Sequence, residues 1–388
     1  MKLSYTSLLF GFVVLLAACS ADTEIVTIQH YETDDYEKIS KHLDLPQEPL
    51  DYRLVLPSHL GSNASVQPIN ADVATLGRVL FYDNHLSRNK TVSCASCHLQ
   101  DKGFADDRAF SEGFEGQNTR RNSLALGATV SFEATYGSSS SFSGGQALFF
   151  WDERAHSIAQ QSSMTIQDDI EMGMEMPELI SRLEAVEYYP PLFKRAFGTE
   201  SISENRITEA LEEFTNSIGA FDTKFDDGMA TAGDASHDFG NFSPRENLGK
   251  SLFIANCGTC HGERLAETNL AIANNGLDVE YEDNGVGERS GLLADNGLFK
   301  VPQLRNIALT GPYMHDGRFA TLEEVVDFYS EGVQAHPNLH DNLIDEQTGE
   351  PRRLDFSPDE KAALVDFLKT LTDQSIATAE RFSDPFRR

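Results

Sequence analysis

Hydrophobic residues along this chain recur mainly with the three- and four-residue spacing of amphipathic helices. Four stretches show the spacing most clearly: 73–80, 203–225, 322–329 and 364–371. In the third stretch, Leu322, Val325, Val326 and Tyr329 fall on one helical face. Alternation typical of strands is weak throughout. The pattern therefore predicts a mainly α fold.

Three capping boxes predict where helices begin, because each has Ser or Thr followed three positions later by Glu. They start at Ser243, Thr321 and Ser357. In the first and third, proline follows at once, at the position where a helix best tolerates it.

The segment between Gln100 and Phe149 has no periodicity and is rich in Gly, Ser and charged residues. It predicts a long irregular loop, and such loops in compact domains are usually functional. After His98 the next histidine is His156, so this loop has no imidazole to offer a metal.

Two pentapeptides carry the clearest chemistry, Cys94-Ala95-Ser96-Cys97-His98 and Cys257-Gly258-Thr259-Cys260-His261. C-x-x-C-H is typical of c-type haem attachment. The two thiols form thioethers to the porphyrin, and the histidine ligates the iron. A zinc site would use both cysteine pairs on one ion, whereas each pair here has its own histidine. Two covalently bound haem c groups are predicted.

The N-terminus predicts export and lipidation. Lys2 precedes an apolar run that ends at Leu16, too short to span a bilayer, and Ala17-Ala18-Cys19 follows. This stretch resembles a bacterial lipoprotein signal with Cys19 as lipid acceptor. The alternative is an ordinary signal peptide. We expect a periplasm-facing lipoprotein, with the outer membrane preferred.

Composition narrows the partners. The chain has 388 residues and a formal net charge of −30, which argues against nucleic acid as a ligand. An acidic surface would steer a basic electron donor toward the protein. It would equally suit a salty habitat.

The predicted architecture is two cytochrome c-like haem domains with long irregular loops. The predicted segments are a lipoprotein signal peptide over 1–18, a tether over 19–50, an N-terminal domain over 51–225, a linker over 226–242 and a C-terminal domain over 243–388.

The residues alone do not decide which side chain is the sixth ligand of either iron. For the second haem, Tyr329, Met314 and His315 are alternatives, although a buried tyrosine is more often a core residue. For the first haem the alternatives are methionines, namely Met164, Met172, Met174 and Met176. An iron that activates peroxide needs an open face and a general acid and base nearby.

At this point the chain resembles the bacterial di-haem cytochrome c peroxidases, and within them the MauG type, from about Leu76 to Leu371. Beyond the haem motifs, the resemblance rests on Phe150-Trp151-Asp152-Glu153-Arg154-Ala155, Ile170-Glu171-Met172, Leu304-Arg305-Asn306 and Pro312-Tyr313-Met314-His315-Asp316-Gly317.

The resemblance implies roles for residues near the first haem, where peroxide reacts in this family. His98 is then the proximal ligand, Glu171 the acid–base group and Gln161 a second distal residue. Trp151 is implied to relay electrons between the haems. The family pattern has proline where this chain has Thr165, so the polarity of the distal pocket is expected to differ.

For the second haem, the resemblance implies His261 and Tyr329 as ligands, since the MauG type has tyrosine where ordinary family peroxidases have methionine. Many of those peroxidases also carry a distal histidine in the first loop. Its absence here implies an open first iron at rest. The family also binds calcium, and the matching ligands are the Asn122 side chain and the carbonyls of Thr310 and Pro312.

The resemblance implies a peroxidase that reduces hydrogen peroxide to water with electrons from a small cytochrome c or cupredoxin. One alternative is MauG-like oxidation of residues on a partner protein. The other is a pure electron-transfer di-haem cytochrome. Homodimers are common in the family.

Overall fold

The structure, a computed structural model, describes residues 31–60, 68–126, 148–265 and 268–387. Over these ranges the chain is mainly helical, and the predicted fold class is confirmed. The strands described form one two-stranded antiparallel sheet, in which β1 (Ile272–Ala273) pairs with β2 (Phe299–Lys300).

The described residues before Thr223, called the first half below, form six α-helices. They are α1 (Thr33–Ser40), α2 (Ala71–Tyr82), α3 (Ile158–Gln167), α4 (Met176–Glu184), α5 (Tyr189–Phe197) and α6 (Glu204–Ser217). Short 3-10 helices connect them, at Ser58–Leu60, Asn84–Leu86, Cys94–Ser96 and Gln100–Lys102.

The second half contains the remaining described helices. They are α7 (Lys224–Ala232), α8 (Pro244–Asn256), α9 (Gly258–His261), α10 (Val286–Ser290), α11 (Leu322–Asp327), α12 (Pro358–Lys369) and α13 (Gln374–Thr378). A π-helix continues α11 over Phe328–Gly332. Further 3-10 helices lie at Leu293–Asp295, Ile307–Leu309, Asp341–Leu343 and Glu380–Phe382.

The predicted helix starts are confirmed. In each box the side chain of the capping residue accepts a hydrogen bond from the backbone N–H of the glutamate three residues on. The glutamate side chain in turn accepts from the backbone N–H of the capping residue, which is Ser243, Thr321 or Ser357. Each box satisfies N–H groups that the helix itself leaves without a partner.

One close helix pair forms the centre of each half. In the first half α2 packs on α6, and a Cβ added at Gly77 would collide with the carbonyl of Ala210. In the second half α8 packs on α12, and a Cβ added at Gly249 would collide with the carbonyl of Ala363. Both glycines therefore permit backbones to approach to contact.

Two segments differ from their predicted roles. Residues 31–50 are expected to be part of a tether, but α1 packs there and Ile39 and Leu43 are fully buried in the first core. Residues 226–242 are expected to be a linker. However, they are helical as far as Ala232, within α7, and Met229 and Phe239 are buried in the second core. Apolar side chains make both segments part of a core.

The periodic stretch at 203–225 is not one helix. Helix α6 ends at Ser217, and Ile218 adopts a non-helical conformation. Gly219 then packs against the side chains of Leu54 and Phe221, and a Cβ added there would collide with Leu54 Cδ1, so these side chains would have to shift. The helical spacing of hydrophobic residues thus continues in the sequence past Ser217, although the helix itself ends there because of tertiary packing.

The C-terminal residues return to the first half. Ile376 and Phe382 are buried in the core that α2 and α6 form. Buried Arg78 donates from Nε to the Ser383 carbonyl at 2.6 Å. The C-terminal residues thus join the second half to the first. Phe386 also forms an antiparallel β-bridge with Leu43.

Candidate active site

The first C-x-x-C-H motif forms a 3-10 turn, Cys94–Ser96, capped by Ser93. The next residue but one, His98, lies 2.9 Å through Nδ1 from the Phe104 carbonyl oxygen. A carbonyl only accepts, so Nδ1 carries the proton and Nε2 is left to ligate an iron. Burial lowers the pKa of His98, which favours the neutral form that binds metal.

The second motif is helical. Helix α8 ends at Asn256, Cys257 follows, and α9 contains Cys260 and His261. Nδ1 of His261 lies 3.0 Å from the Pro302 carbonyl oxygen, so its Nε2 is likewise set to face a metal. All four motif cysteines are free of disulfides, as thioether formation requires.

A cavity of about 290 Å³ opens beside the second motif. Its wall includes most residues singled out for this half: Cys257, Cys260, His261, Met314, His315 and Tyr329, together with Trp151, Asn122, Thr310 and Pro312. Two thiols, an imidazole and a phenol around one largely apolar cavity fit a covalent haem with axial ligands on both faces.

Tyr329 lies in the π-helix that follows α11. Its hydroxyl accepts a hydrogen bond from Asn275 Nδ2 at 3.2 Å, and the same amide lies 3.7 Å from Met314 Sδ. Burial raises the pKa of Tyr329 to about 12. A π-turn inside a helix often marks a functional site, and here it coincides with Tyr329.

The three alternative ligands of the second haem all line this cavity. His315 stacks on Phe299 with ring centroids 3.8 Å apart and an interplanar angle of 15°, and it also faces the Trp151 ring at 6.5 Å. Tyr329 and Met314 instead share Asn275. Sequence reasoning missed Asn275, which lies in an aperiodic loop without a motif.

Glu171 lies between α3 and α4 and is half-buried. Burial, and secondarily the charge of Asp168, raise the pKa of Glu171 to about 7. A hydrogen bond from the Thr165 side chain acts in the opposite direction. The carboxyl therefore has both protonation states available near neutral pH.

Glu171 lies near the first haem motif: its carbonyl accepts from the Phe114 backbone N–H at 3.2 Å, and the next residue, Met172, is buried in the core against which Cys94 packs. Asp168 Oδ1 accepts from the Glu171 backbone N–H at 3.0 Å. Gln161 is half-buried on α3, one turn before Thr165, so the two share a helical face.

Trp151 is fixed at both ends. Its indole Nε1 donates to the Asn122 carbonyl at 2.9 Å, and its own carbonyl accepts from the Lys300 backbone N–H at 2.7 Å. Its ring borders the cavity of the second motif. The residue chosen as electron relay thus lies against the second site.

The three residues that the resemblance implies for calcium all line that cavity: Asn122, Thr310 and Pro312. The backbone N–H of Asn122 donates to the His315 carbonyl at 2.7 Å, which ties the first-half loop to the second half. Among the described residues, no cluster of three or more His, Cys, Asp or Glu side chains is arranged to hold a metal.

Cys19 and the signal peptide 1–18 lie outside the described residues. No helix within the described ranges is both long and apolar enough to cross a membrane.

The chain is similar to known proteins over most of its length. The family model of di-haem cytochrome c peroxidases matches residues 71–234. The methylamine utilization protein MauG of Paracoccus denitrificans is 32% identical, over 81% of this chain and 92% of that protein. A cytochrome c551 peroxidase of Nitrosomonas europaea is 30% identical, over 81% of this chain and 85% of that protein.

A solved structure extends the comparison to three dimensions. The crystal structure of a MauG-like protein associated with microbial copper homeostasis superposes with a TM-score of 0.69. It is 32% identical and covers 86% of this chain and 99% of that chain.

The comparisons and the two C-x-x-C-H motifs indicate the same family of di-haem proteins. The family is exported and periplasmic, and its members use hydrogen peroxide and a redox partner. This chain carries two haem c groups. It belongs to the MauG-like di-haem cytochrome c peroxidase family and is a peroxidase oxidoreductase.

Proposed function

We propose that this chain reduces hydrogen peroxide to water at the haem held by His98, with electrons from a small periplasmic cytochrome c or cupredoxin. The observation that carries the proposal is Glu171: a half-buried carboxyl near the first haem motif, with a pKa of about 7. An acid–base group works best when its pKa lies near the operating pH.

When bound, the haem would supply the iron that binds peroxide and takes up its oxidising equivalents. Glu171 would take a proton from one peroxide oxygen and return it to the other, which leaves as water. The Thr165 side chain holds the carboxyl through its hydrogen bond. Gln161, on the same face of α3, orients peroxide by donating from its amide.

Electrons enter through the second half of the chain. His261 and Tyr329 would hold the iron of the second haem, and Trp151 would carry electrons between the two haems. The supporting geometry is that all three residues border one cavity. The wall also holds Asn122, Thr310 and Pro312, which we assign to one calcium ion on the boundary between the halves.

The first test is Glu171→Gln, which keeps the shape of the side chain but removes its acid–base function. Steady-state peroxide turnover is expected to fall by roughly 100-fold or more, while haem content and absorption stay unchanged. Glu175→Gln is the matched control, because Glu175 is exposed and only four residues away. Turnover of Glu171→Gln close to that of the control would contradict the proposal.

A second candidate function is oxidation of residues on a partner protein, and Tyr329 favours it. A phenolate ligand stabilises ferric and higher oxidation states, which suits a centre that stores oxidising equivalents. Mass analysis of candidate partners after peroxide treatment separates the two functions. Modified partner residues favour this candidate, and consumption of a reduced cytochrome without modification favours the peroxidase.

We also propose that a lipid on Cys19 anchors the chain on the periplasmic side of the outer membrane, and that the protein forms a homodimer. The net charge of −30 favours a basic electron donor over an acidic one.

A further inference from the structure

Two adjacent tyrosines share one buried carboxylate in the first core. Tyr189 donates its hydroxyl to Asp83 Oδ2 at 2.6 Å, and Tyr188 donates to the same oxygen at 2.8 Å. All three side chains are buried, with Tyr189 fully excluded from solvent. Neither the haem motifs nor the peroxidase reaction described above uses this cluster.

The carboxylate is held in its charged form. Burial would raise the pKa of Asp83, but hydrogen bonds from His85 and Tyr189 outweigh it and leave the pKa below its ordinary value. Asp83 Oδ1 lies 2.7 Å from His85 Nδ1, and the His85 side chain is 32% exposed. The hydrogen-bonded chain that begins at Asp83 therefore reaches solvent at His85.

The cluster lies next to the first haem motif. Cys94 packs against the core that contains Tyr189. Burial is the main cause of the raised Tyr189 pKa, and the charge of Asp83 adds to it. The cysteine that attaches the first haem thus contacts the same core that contains the phenol.

The aromatic rings continue outward from Tyr189. Its ring centroid lies 4.8 Å from that of Tyr188, which lies 5.4 Å from the His42 ring. The His42 side chain is 45% exposed. Ring contacts thus lead from the surroundings of Cys94 to the surface at the end of α1.

A structural role alone does not require this arrangement. Asp83 caps the turn after α2 by accepting from the His85 N–H at 2.8 Å through Oδ1, which leaves Oδ2 outside the cap. Neighbouring Tyr82 shows the ordinary solution for a phenol in this core, since its hydroxyl donates to the Phe382 carbonyl at 2.6 Å. A carbonyl satisfies the donor but cannot take its proton.

We propose that Tyr189 and Tyr188 form a redox-active pair that supplies electrons to the His98 haem site when peroxide arrives and no electron donor is bound. This inference rests on the proposed peroxide reaction at that site. Its function is to move oxidising equivalents away from the haem toward the surface.

The step balances. One electron leaves the Tyr189 phenol, its O–H bond breaks, and the proton moves to Asp83 Oδ2 along the existing hydrogen bond. The oxidant is hydrogen peroxide, which takes up two electrons from the pair and two protons from solvent to give two waters. The two tyrosines are oxidised in turn: each supplies one electron and becomes a neutral tyrosyl radical, and the proton that Asp83 accepts from the first is released to solvent before the second is oxidised. An oxidised phenol is a strong acid, so a carboxylate accepts its proton readily.

The test is EPR of the ferric holoprotein, freeze-quenched after one equivalent of peroxide without reductant. The expected result is an organic radical that narrows when the protein contains ring-deuterated tyrosine. The double variant Tyr188→Phe/Tyr189→Phe is expected to lose most of this signal. Tyr82→Phe is the matched control, because it removes a phenol from the same core that has no carboxylate partner, and it is expected to retain the signal.

Deuterium labelling keeps the test decisive even if a variant folds poorly, because it leaves the sequence unchanged. A radical that does not narrow, or one that persists in the well-folded double variant, would overturn the proposed pair. Haem absorption in the same samples separates the two proposals. Haems that respond to peroxide without a tyrosyl radical contradict only the pair, whereas haems that do not respond contradict the peroxide reaction and the pair together.

Discussion

The same pentapeptide pattern sits in two different local structures. In the first half, Cys94–Ser96 form a 3-10 turn, and a half-buried carboxyl, Glu171, lies near it. In the second half, the motif continues α8 as α9, and Tyr329 and His261 line the same cavity. Both histidines are oriented alike by a backbone carbonyl. The attachment chemistry is therefore shared, and the residues opposite the histidine are expected to divide the labour.

The scaffolds behind the two motifs are more alike than the sites. Each half closes one helix pair over a glycine, Gly77 in α2 and Gly249 in α8. Both glycines touch backbone rather than a flexible side chain, so the helices cannot give way easily. The two halves thus share a scaffold and differ in the loops that carry the candidate functional residues, which is usual for scaffolded sites.

The largest expected effect comes from breaking both scaffolds in the same way. Gly77→Ala and Gly249→Ala each push a methyl group into a backbone carbonyl and are expected to destabilise the protein by about 2 kcal/mol. Gly240→Ala is the control, because a Cβ there meets nothing within 4 Å. Thermal unfolding of the three variants checks this. A midpoint for either core variant equal to that of Gly240→Ala would show that the two halves are not equivalent.

A smaller effect should appear in the pH dependence, and only through the first site. Glu171 must be ionised to accept a proton, so kcat/KM for peroxide is expected to fall about tenfold per pH unit below its pKa, which is about 7. Stopped-flow kinetics between pH 5 and 8 measure this limb, and Glu171→Gln should lack it. A limb that survives in this variant would assign the proton transfer to another group.

The same carboxyl has the opposite effect on stability. Its folded pKa of about 7 lies above the ordinary value of 4.5. Its stabilising contribution is therefore complete below the ordinary value and is lost as the pH rises through the folded pKa. Activity and stability should thus change in opposite directions across this window, which is common for a catalytic group held by burial.

The smallest effect on turnover is expected at the second site. Tyr329→Phe removes the phenol but keeps the ring, and turnover should fall by less than about tenfold, or ~1.4 kcal/mol. Low-temperature EPR of the ferric protein should show a change in the low-spin haem alone. An altered high-spin signal would show that the two centres are not divided as proposed, and an unchanged spectrum would favour Met314 or His315 as the ligand.

Much of this fold could be predicted because its signals are local. The capping boxes at Ser243, Thr321 and Ser357 need only three residues each, and the haem motifs need five. The end of α6 at Ser217 was missed, because the close packing of Gly219 on Leu54 is a contact between distant residues. Periodicity cannot register a break imposed from outside the helix.

The residues of the candidate sites also fall into two groups, those with a local sequence signal and those without one. Tyr329 and His261 carry a helical face and a motif, and the structure brings them to one cavity. Asn275 carries neither, although it bonds the Tyr329 hydroxyl. The link from Tyr189 to Asp83 spans 106 residues and has no sequence signature. The roles of Glu171, Gln161 and Trp151 stay predictions, since geometry places them but does not test them.

The burial of Ile376 and Phe382 in the first core bears on the order in which the molecule can be built. Synthesis and export deliver the N-terminal half first, and domains usually fold in that order. Here the first core lacks part of its interior until the last residues of the chain arrive. Both cysteine pairs are therefore delivered while that core is still incomplete. The first core therefore cannot close completely before residues 376–382 have been delivered.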